Sequence, residues 1–286
     1  MGRSLIIILG PTAVGKTDYS IDIAKDLKSP IISCDSRQIY REMTIGTAVP
    51  SASQLAAVKH YFIHDRSIEE RYTAGQYEAD ALALIHKLFD EGHETLVMAG
   101  GSGFYINAVC NGLDDVPGSD PSIRKMLMDK LDAEGVKALW PDLERLDPET
   151  FASIDIHNSH RVARALEACI VSGRPFSSFK TGVAKSRDFE IRKIGLSRPR
   201  NVLYDRINRR VDKMLDDGLV DEARSLYAFR NLEALQTVGY KEIFDYLDGK
   251  CSLDEAADMI RRNTRHYAKR QVTWWNRDPS IDWISL

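Results

Sequence analysis

The sequence predicts an α/β fold, a P-loop NTPase-like parallel sheet flanked by helices, with an all-helical domain inserted into it. Three observations carry this reading. Strand and helix patterns alternate through the first hundred residues, as in sheets whose parallel strands are joined by crossover helices. A glycine-rich Gly10–Thr17 loop stands between the first strand and the first helix. From Pro117 to about Phe179 every pattern is helical, and α/β patterns resume after it. The expected division is 1–116 with 187–286 for the sheet domain and 117–186 for the insertion.

Ser4–Leu9 is a continuous aliphatic run, as a strand covered on both faces requires. The spacing predicts a helix from Lys16 to about Leu27, with Ile21, Ala24 and Leu27 on one face. A second strand, Pro30–Asp35, ends in a carboxylate. Ala81, Leu84, Ile85 and Leu88 give Tyr77–Phe89 a helical face, and Thr95–Ala99 is a third strand running into Gly100-Gly101. In the insertion, helices are predicted over Ile123–Leu131, Val136–Leu143 and Arg161–Val171, the last closed by Gly173. Pro121 and Pro148 stand where a proline favours helix initiation. Phe189–Leu196 alternates like a strand, and the chain is then mostly helical and basic until Trp283-Ile284.

With 286 residues, 43% hydrophobic and 28% charged, the chain has the composition of a globular protein and not of a disordered or fibrous one. Its longest clean apolar run, Leu5–Leu9, falls far short of the roughly 20 residues of a spanning helix, so no membrane association is expected. That run meets Gly10-Pro11 at once, which is not a secretory pattern. Cys34, Cys110, Cys169 and Cys251 are widely separated, which favours reduced, mostly buried thiols over a disulfide framework or a zinc site. His157 and His160 have a spacing that permits metal ligation, but no further ligand pattern completes a site.

Gly10-Pro11-Thr12-Ala13-Val14-Gly15-Lys16-Thr17 fits G-x-x-x-x-G-K-[ST] between a buried strand and a helix. Such a loop turns backbone N–H groups toward phosphate oxygens, with the helix N-terminus adding positive potential. Lys16 supplies a point charge and the Thr17 hydroxyl can ligate Mg²⁺. ATP is the ordinary occupant of such a loop. A nucleotide hydrolase, however, needs a strand ending in Asp to place metal and water, and Leu96–Ala99 ends in Gly100-Gly101-Ser102-Gly103 instead. The strand that ends in Asp is the one reaching Asp35. The phosphate can therefore belong to a leaving group.

Seven blocks in order, from residue 10 to residue 274, resemble the tRNA dimethylallyltransferase (isopentenyltransferase) family. They are Gly10–Thr17, Ser33–Arg41, Ile45–Ala48, Gly100–Tyr105, Arg161–Glu167, Val238–Lys241 and Lys269–Trp274. The resemblance is to bacterial-type members without an added zinc finger. It implies Mg²⁺-dependent transfer of a dimethylallyl group from dimethylallyl diphosphate to N6 of the adenosine 3′ of the anticodon, in tRNAs reading codons that begin with U. A cytoplasmic monomer is expected. A small-molecule kinase, a relative prenylating free AMP, and a non-catalytic RNA-binding module are the competing readings. Basic segments suited to a nucleic acid disfavour the small-molecule enzymes, and the Asp35 loop disfavours the binding module.

On this resemblance Asp35 accepts the proton of the adenine amino group, whose lone pair is delocalised into the ring. Ser36, Arg37 and Gln38 share its tRNA-contacting loop. Lys16, Thr17, Mg²⁺, the loop amides, and Arg206 with Arg210 at i, i+4 stabilise the departing diphosphate. Ser102 stands where the family has Thr, keeping the hydroxyl and losing the methyl. Arg124, the segment His160-Arg161-Val162-Ala163-Arg164, and Gln236-Thr237-Val238-Gly239-Tyr240-Lys241 match tRNA-contacting positions. The Tyr240 ring and the guanidinium groups suit stacking on extruded bases.

The formal charge of −3 hides an uneven distribution. Residues 192–213 and 261–277 each balance to +6, leaving −15 on the other 247 residues. Arg261, Arg262, Arg265, Lys269 and Arg270, beside Tyr267, Trp274 and Trp275, form a basic aromatic run suited to an anticodon-stem backbone. At least one of the two tryptophans is expected in the core.

Overall fold

The computed structural model describes residues 2–286. They form two compact units: one takes the chain up to Cys110 together with Ser186–Leu286, and the other is Asn111–Lys185. The larger unit is built on six parallel strands, β1 (Ser4–Leu9), β2 (Ile31–Ser33), β3 (His60–Tyr61), β4 (Thr95–Ala99), β5 (Glu190–Ser197) and β6 (Ile281–Ser285). Their order across the sheet is β3-β2-β4-β1-β5-β6. Ile8 pairs with Ala99 of β4 and Ile194 of β5, so β1 is central, as its unbroken aliphatic run requires.

Successive side chains of a strand point to opposite faces, and the two faces of this sheet carry separate cores. Leu5, Ile7, Leu9, Leu96 and Met98 pack with Tyr77, Ala81, Ile85 and Leu88 of α3 (Ala74–Asp90) and with Ile106 and Val109 of α4 (Gly103–Asn111). Ile8, Ile31 and Val97 pack with Ile21 and Ala24 of α1 (Lys16–Asp26) and with Leu203 and Ile207 of α9 (Arg200–Asp216). A third core joins Ile39, Tyr40 and Met43 to Leu219 and Ala223 of α10 (Leu219–Ser225), Tyr240 and Ile243 of α11 (Tyr240–Leu247), and Ala256 and Ile260 of α12 (Leu253–Trp275). Among the described residues, no helix is long and apolar enough to cross a membrane.

Local chemistry sets the helix ends. Thr73 and Gln76 form a capping box and start α3 three residues before the expected Tyr77. Ser252 and Glu255 do the same for α12. The helical unit contains α5 (Pro121–Glu134), α6 (Trp140–Leu146), α7 (Pro148–Ser153) and α8 (Ser159–Ser172). Asp120 and Asp147 cap α5 and α7, with Pro121 and Pro148 at their starts, and Gly173 ends α8 in the left-handed region at φ 68°.

The single helix expected over Val136–Leu143 is instead a 3₁₀ turn, Val136–Leu139, followed by α6. Pro141 has no N–H for a continuous ladder and is accommodated by a helix starting beside it. Four elements outside the sequence reading are α2 (Ala52–Ala57), β3, α4 and the edge strand β6.

Candidate active site

Four chain segments leave the carboxyl ends of their strands on one edge of the sheet: 10–17 after β1, 34–38 after β2, 100–102 after β4, and Arg198 after β5. The 10–17 loop is tightly determined. Gly10 sits at φ 144°, and a Cβ there would lie 2.6 Å from the Leu196 carbonyl oxygen, so no larger residue fits. Ala13 has φ 64°, a conformation uncommon for a non-glycine residue. Gly15, at φ 117°, caps α1.

Cations surround this loop. Lys16 Nζ donates to the carbonyls of Gly10 at 3.0 Å and Pro11 at 2.9 Å. Arg198 Nε donates to Val14 O, and Arg206 Nε to Ala13 O, each at 2.8 Å. An Arg210 guanidinium nitrogen is 3.3 Å from Thr12 Oγ1. Burial, and next the Arg210 charge, lower the Lys16 pKa to about 8. Burial and then Arg206 also lower that of Arg210. Like charges held together with no ion pair to a carboxylate among the described residues form a site with unspent affinity for an anion.

Asp35 lines the same cavity of about 540 Å³ as Lys16, Thr17, Arg206 and Arg210. Its Oδ1 accepts the N–H groups of Arg37 at 2.9 Å and Gln38 at 3.3 Å. This turn fixes the carboxylate and leaves Oδ2 without a hydrogen-bond partner among the described residues. Ser102 and Ser36 meet across the next wall. Ser36 N donates to Ser102 Oγ at 2.9 Å, and the two hydroxyl oxygens lie 3.0 Å apart.

These serines and Arg37 line a second cavity of about 740 Å³ with Tyr267 and Trp274. Gly101 and Gln271 belong to both cavities. Phe104 is 61% exposed, and its ring lies 5.2 Å from that of Trp274. A cationic pocket therefore adjoins an aromatic one, with Asp35 and Ser36 on successive positions of one loop.

The structure gives several expected tRNA contacts other work. Tyr240 is 0% exposed and donates its hydroxyl to Glu222 Oε1 at 2.6 Å, so its ring has no face for a base. Gln38 donates its side-chain amide to Thr47 O at 3.1 Å and Ala48 O at 3.0 Å instead of leaving those protons for a base edge. Gly239 is buried, Gln236 and Lys241 are exposed, and Thr237 and Val238 are half-buried.

In the helical unit, Val162 and Ala163 are fully buried in its core, on the apolar side of α8, so their side chains do not reach an external partner. Arg124 and Arg164 approach the fully buried Glu167 carboxylate at 3.2 and 3.4 Å, and Ser119 also donates to it. A buried carboxylate left without its cations is strongly destabilising. Both arginines thus serve that unit's stability. His160 and Arg161 are exposed, as is His157, whose ring packs against Trp140.

Gln271 carries a role that the sequence reading did not assign. It is 7% exposed, accepts the Thr12 N–H at 2.9 Å, and donates to Gly101 O at 2.9 Å. One side chain thus ties the 10–17 loop to the 100–102 loop. A signal existed: Ala268, Gln271 and Trp275 repeat at helical spacing and are the buried stripe of the last turns of α12. Trp275 is in the sheet core, as expected for one tryptophan, whereas Trp274 is only partly buried beside it.

A parallel α/β sheet with both cavities at the carboxyl ends of its strands defines an enzyme of the open-sheet class. The comparisons with known proteins make this specific. A model of the family described as IPP transferase matches residues 38–278. The tRNA dimethylallyltransferase of Christiangramia forsetii is 49% identical over 286 residues, spanning 100% of this chain and 94% of its own. Bacteroides fragilis tRNA dimethylallyltransferase 1 is 48% identical over 282 residues, 99% of this chain and 93% of its own. The crystal structure of the full-length tRNA isopentenylpyrophosphate transferase from Bacillus halodurans has a TM-score of 0.71 at 39% identity, covering 99% of this chain and 90% of that one. The chain belongs to the IPP transferase family.

Proposed function

We propose that this enzyme transfers a dimethylallyl group from dimethylallyl diphosphate to N6 of the adenosine 3′ of the anticodon, in tRNAs reading codons that begin with U. The observation carrying this reading is that Asp35 shares one cavity with Lys16, Thr17, Arg206 and Arg210 and borders an aromatic one. The diphosphate belongs in the cationic cavity, where the loop and Gly15-capped α1 face its oxygens. The adenine belongs at the aromatic cavity, replacing lost base stacking with side-chain rings.

Transfer breaks the bond from the allylic carbon to the diphosphate oxygen and forms the bond from that carbon to N6. Asp35 accepts the N6 proton, and its turn-fixed carboxylate orients the amine. Lys16, Arg206 and Arg210, which line one cavity, stabilise the negative charge growing on the diphosphate, an effect that grows as the bound substrate displaces solvent. Thr17, at the start of α1 in the same cavity, is the residue whose hydroxyl would hold Mg²⁺. Mg²⁺ would add charge neutralisation there. Ser102 fixes Ser36 at the boundary between the cavities. A monomer acting on tRNA in the cytoplasm is the simplest setting for this chemistry.

The test is an assay with labelled dimethylallyl diphosphate and unmodified tRNA. Label is expected on the tRNA, with diphosphate released. Phosphoryl transfer from ATP without prenylation would overturn the reading. Asp35→Ala should lose at least about 10²-fold in kcat while tRNA binding changes little; equal losses would make Asp35 a recognition residue.

A further inference from the structure

Two sequence blocks, Ile45–Ala48 and Val238–Lys241, have no part in the chemistry described above, and the structure joins them. One oxygen of the Glu222 carboxylate accepts the Thr44 N–H at 3.1 Å and the Ile45 N–H at 2.8 Å. The other accepts the Gly46 N–H at 2.9 Å and the Tyr240 hydroxyl at 2.6 Å. Three successive backbone donors thus converge on one carboxylate, whose charge makes each bond stronger than a neutral one. The Tyr240 ring fills the space above Gly46, where a Cβ would come within 2.6 Å of it. Residue 46 therefore has to be glycine while Tyr240 stays in place.

The same loop is held from its other side by Gln38. Its amide nitrogen reaches the Thr47 and Ala48 carbonyls, and its backbone N–H donates to Asp35 Oδ1. Hydrogen bonds therefore run without a break from α11, through Glu222 and residues 44–48, to Gln38 and the Asp35 carboxylate. Thr44, Ile45 and residues 47–51 also form a wall of the cationic cavity. Ala48, at φ 53°, holds a left-handed conformation that such bracing sustains.

We propose that Gln38, Glu222 and Tyr240 are positioning residues that set the Asp35 carboxylate and the cavity wall for transfer, and are not themselves contacts to tRNA. The assignment rests on the proposed function for the identity of the reaction. Its physical basis is the steep dependence of transfer on geometry: a misplacement of about 1 Å costs roughly 10²-fold in rate.

The test uses the full chain with Gln38→Met, Glu222→Gln, Tyr240→Phe and the double variant Gln38→Met/Glu222→Gln. Steady-state transfer and tRNA Kd are measured separately. Gln38→Met and Glu222→Gln should each lower kcat roughly 10- to 100-fold, with tRNA Kd within about threefold. The double variant should lose about as much as the worse single one, since both break the same chain of contacts. Tyr240→Phe, which keeps the ring over Gly46 and removes only the hydroxyl, should lose less. It and Gln38→Met carry the test if Glu222→Gln does not fold.

A tRNA Kd weakened more than about tenfold at unchanged kcat would overturn the assignment in favour of direct recognition. Losses that multiply in the double variant, or active variants with unchanged kcat, would also overturn it. Absence of transfer by the wild-type chain would overturn the proposed activity and this assignment together, whereas unaffected variants of an active wild type would overturn this assignment alone.

Discussion

Residues 192–213 and 261–277 carry the same net charge, +6, and spend it on different partners. In the first segment Arg198 and Arg206 bind backbone carbonyls of the 10–17 loop, and Arg210 approaches a threonine hydroxyl. Carbonyls and hydroxyls are dipoles and do not cancel a cation's charge, and the half-buried setting of these arginines weakens its screening by salt. In the second segment Arg261 pairs with Asp212 and Asp258, and Arg265 donates to Asn208 at 2.8 Å. Arg262, Lys269, Arg270 and Arg277 are exposed. The first segment thus brings three cations, Arg198, Arg206 and Arg210, together at the 10–17 loop, while Lys193, Arg209 and Lys213 pair with Asp278, Asp205 and Asp217. The second is a solvent-facing strip in which Arg261 alone is ion-paired among the described residues.

The comparison breaks most visibly at Arg210. If its charge acts on the diphosphate, Arg210→Met should lower kcat by about 10²–10³-fold, the range for removing one preorganised stabilising group, while tRNA affinity holds. Because the Arg210 charge helps to depress Lys16, second to burial, the same variant should raise the Lys16 pKa above its value of about 8. Inorganic diphosphate binding to the wild type should weaken as pH rises through about 8 and Lys16 loses its charge. That inflection should move upward in Arg210→Met, and an unmoved inflection would remove Arg210 from the site. The linked stability has the opposite slope. Between about 8 and the ordinary 10.5, the unfolded chain binds more protons at Lys16 than the folded one. Stability therefore rises with pH across that window.

What the sequence makes legible here is what is local. Gly10–Thr17 announces its turn because glycine spacing and the flanking strand and helix are contiguous. Arg206 and Arg210 announce a common face through their i, i+4 spacing. The contacts of Gln271, 259 and 170 residues away from its partners Thr12 and Gly101, are set by how α12 packs, and no spacing rule encodes them. Tyr240 shows the opposite failure. An aromatic in a basic neighbourhood suggests stacking, but the ring completes the core against Gly46. Val162 and Ala163 are legible as core instead, because with Leu166 and Cys169 they form the buried apolar stripe of α8. The strand β6, with Asp282 and Ser285 among its five residues, lacks the apolar continuity of β1 because it lies at the sheet edge.

The exposed strip should reveal itself by salt rather than by rate. Arg262→Gln and Lys269→Gln each remove a cation facing solvent, so each should weaken binding to all tRNA substrates by a similar factor. Each should also reduce the slope of log Kd against log salt by about 1 if that cation meets a phosphate. The transfer rate at saturating tRNA should change less than in Arg210→Met. Binding titrations at several salt concentrations check this, and a full slope retained by both variants would move the RNA-facing strip elsewhere.

Arg261 sharpens the comparison with the smallest expected effect. It lies on the same helix as Lys269, but its Nε is 3.1 Å from an Asp212 oxygen and Nη1 is 2.6 Å from an Asp258 oxygen. A cation between two carboxylates presents little net charge to a phosphate, so Arg261→Gln should change the salt slope by well under 1. Its stability cost should stay within about 1 kcal/mol, since Asp212 and Asp258 remain exposed to water. Asp212→Asn makes the complementary test by freeing part of the Arg261 charge, and should steepen the slope. If Arg261→Gln instead lowers the slope as much as Lys269→Gln does, the carboxylates give way when RNA arrives. The second segment would then act with its whole +6.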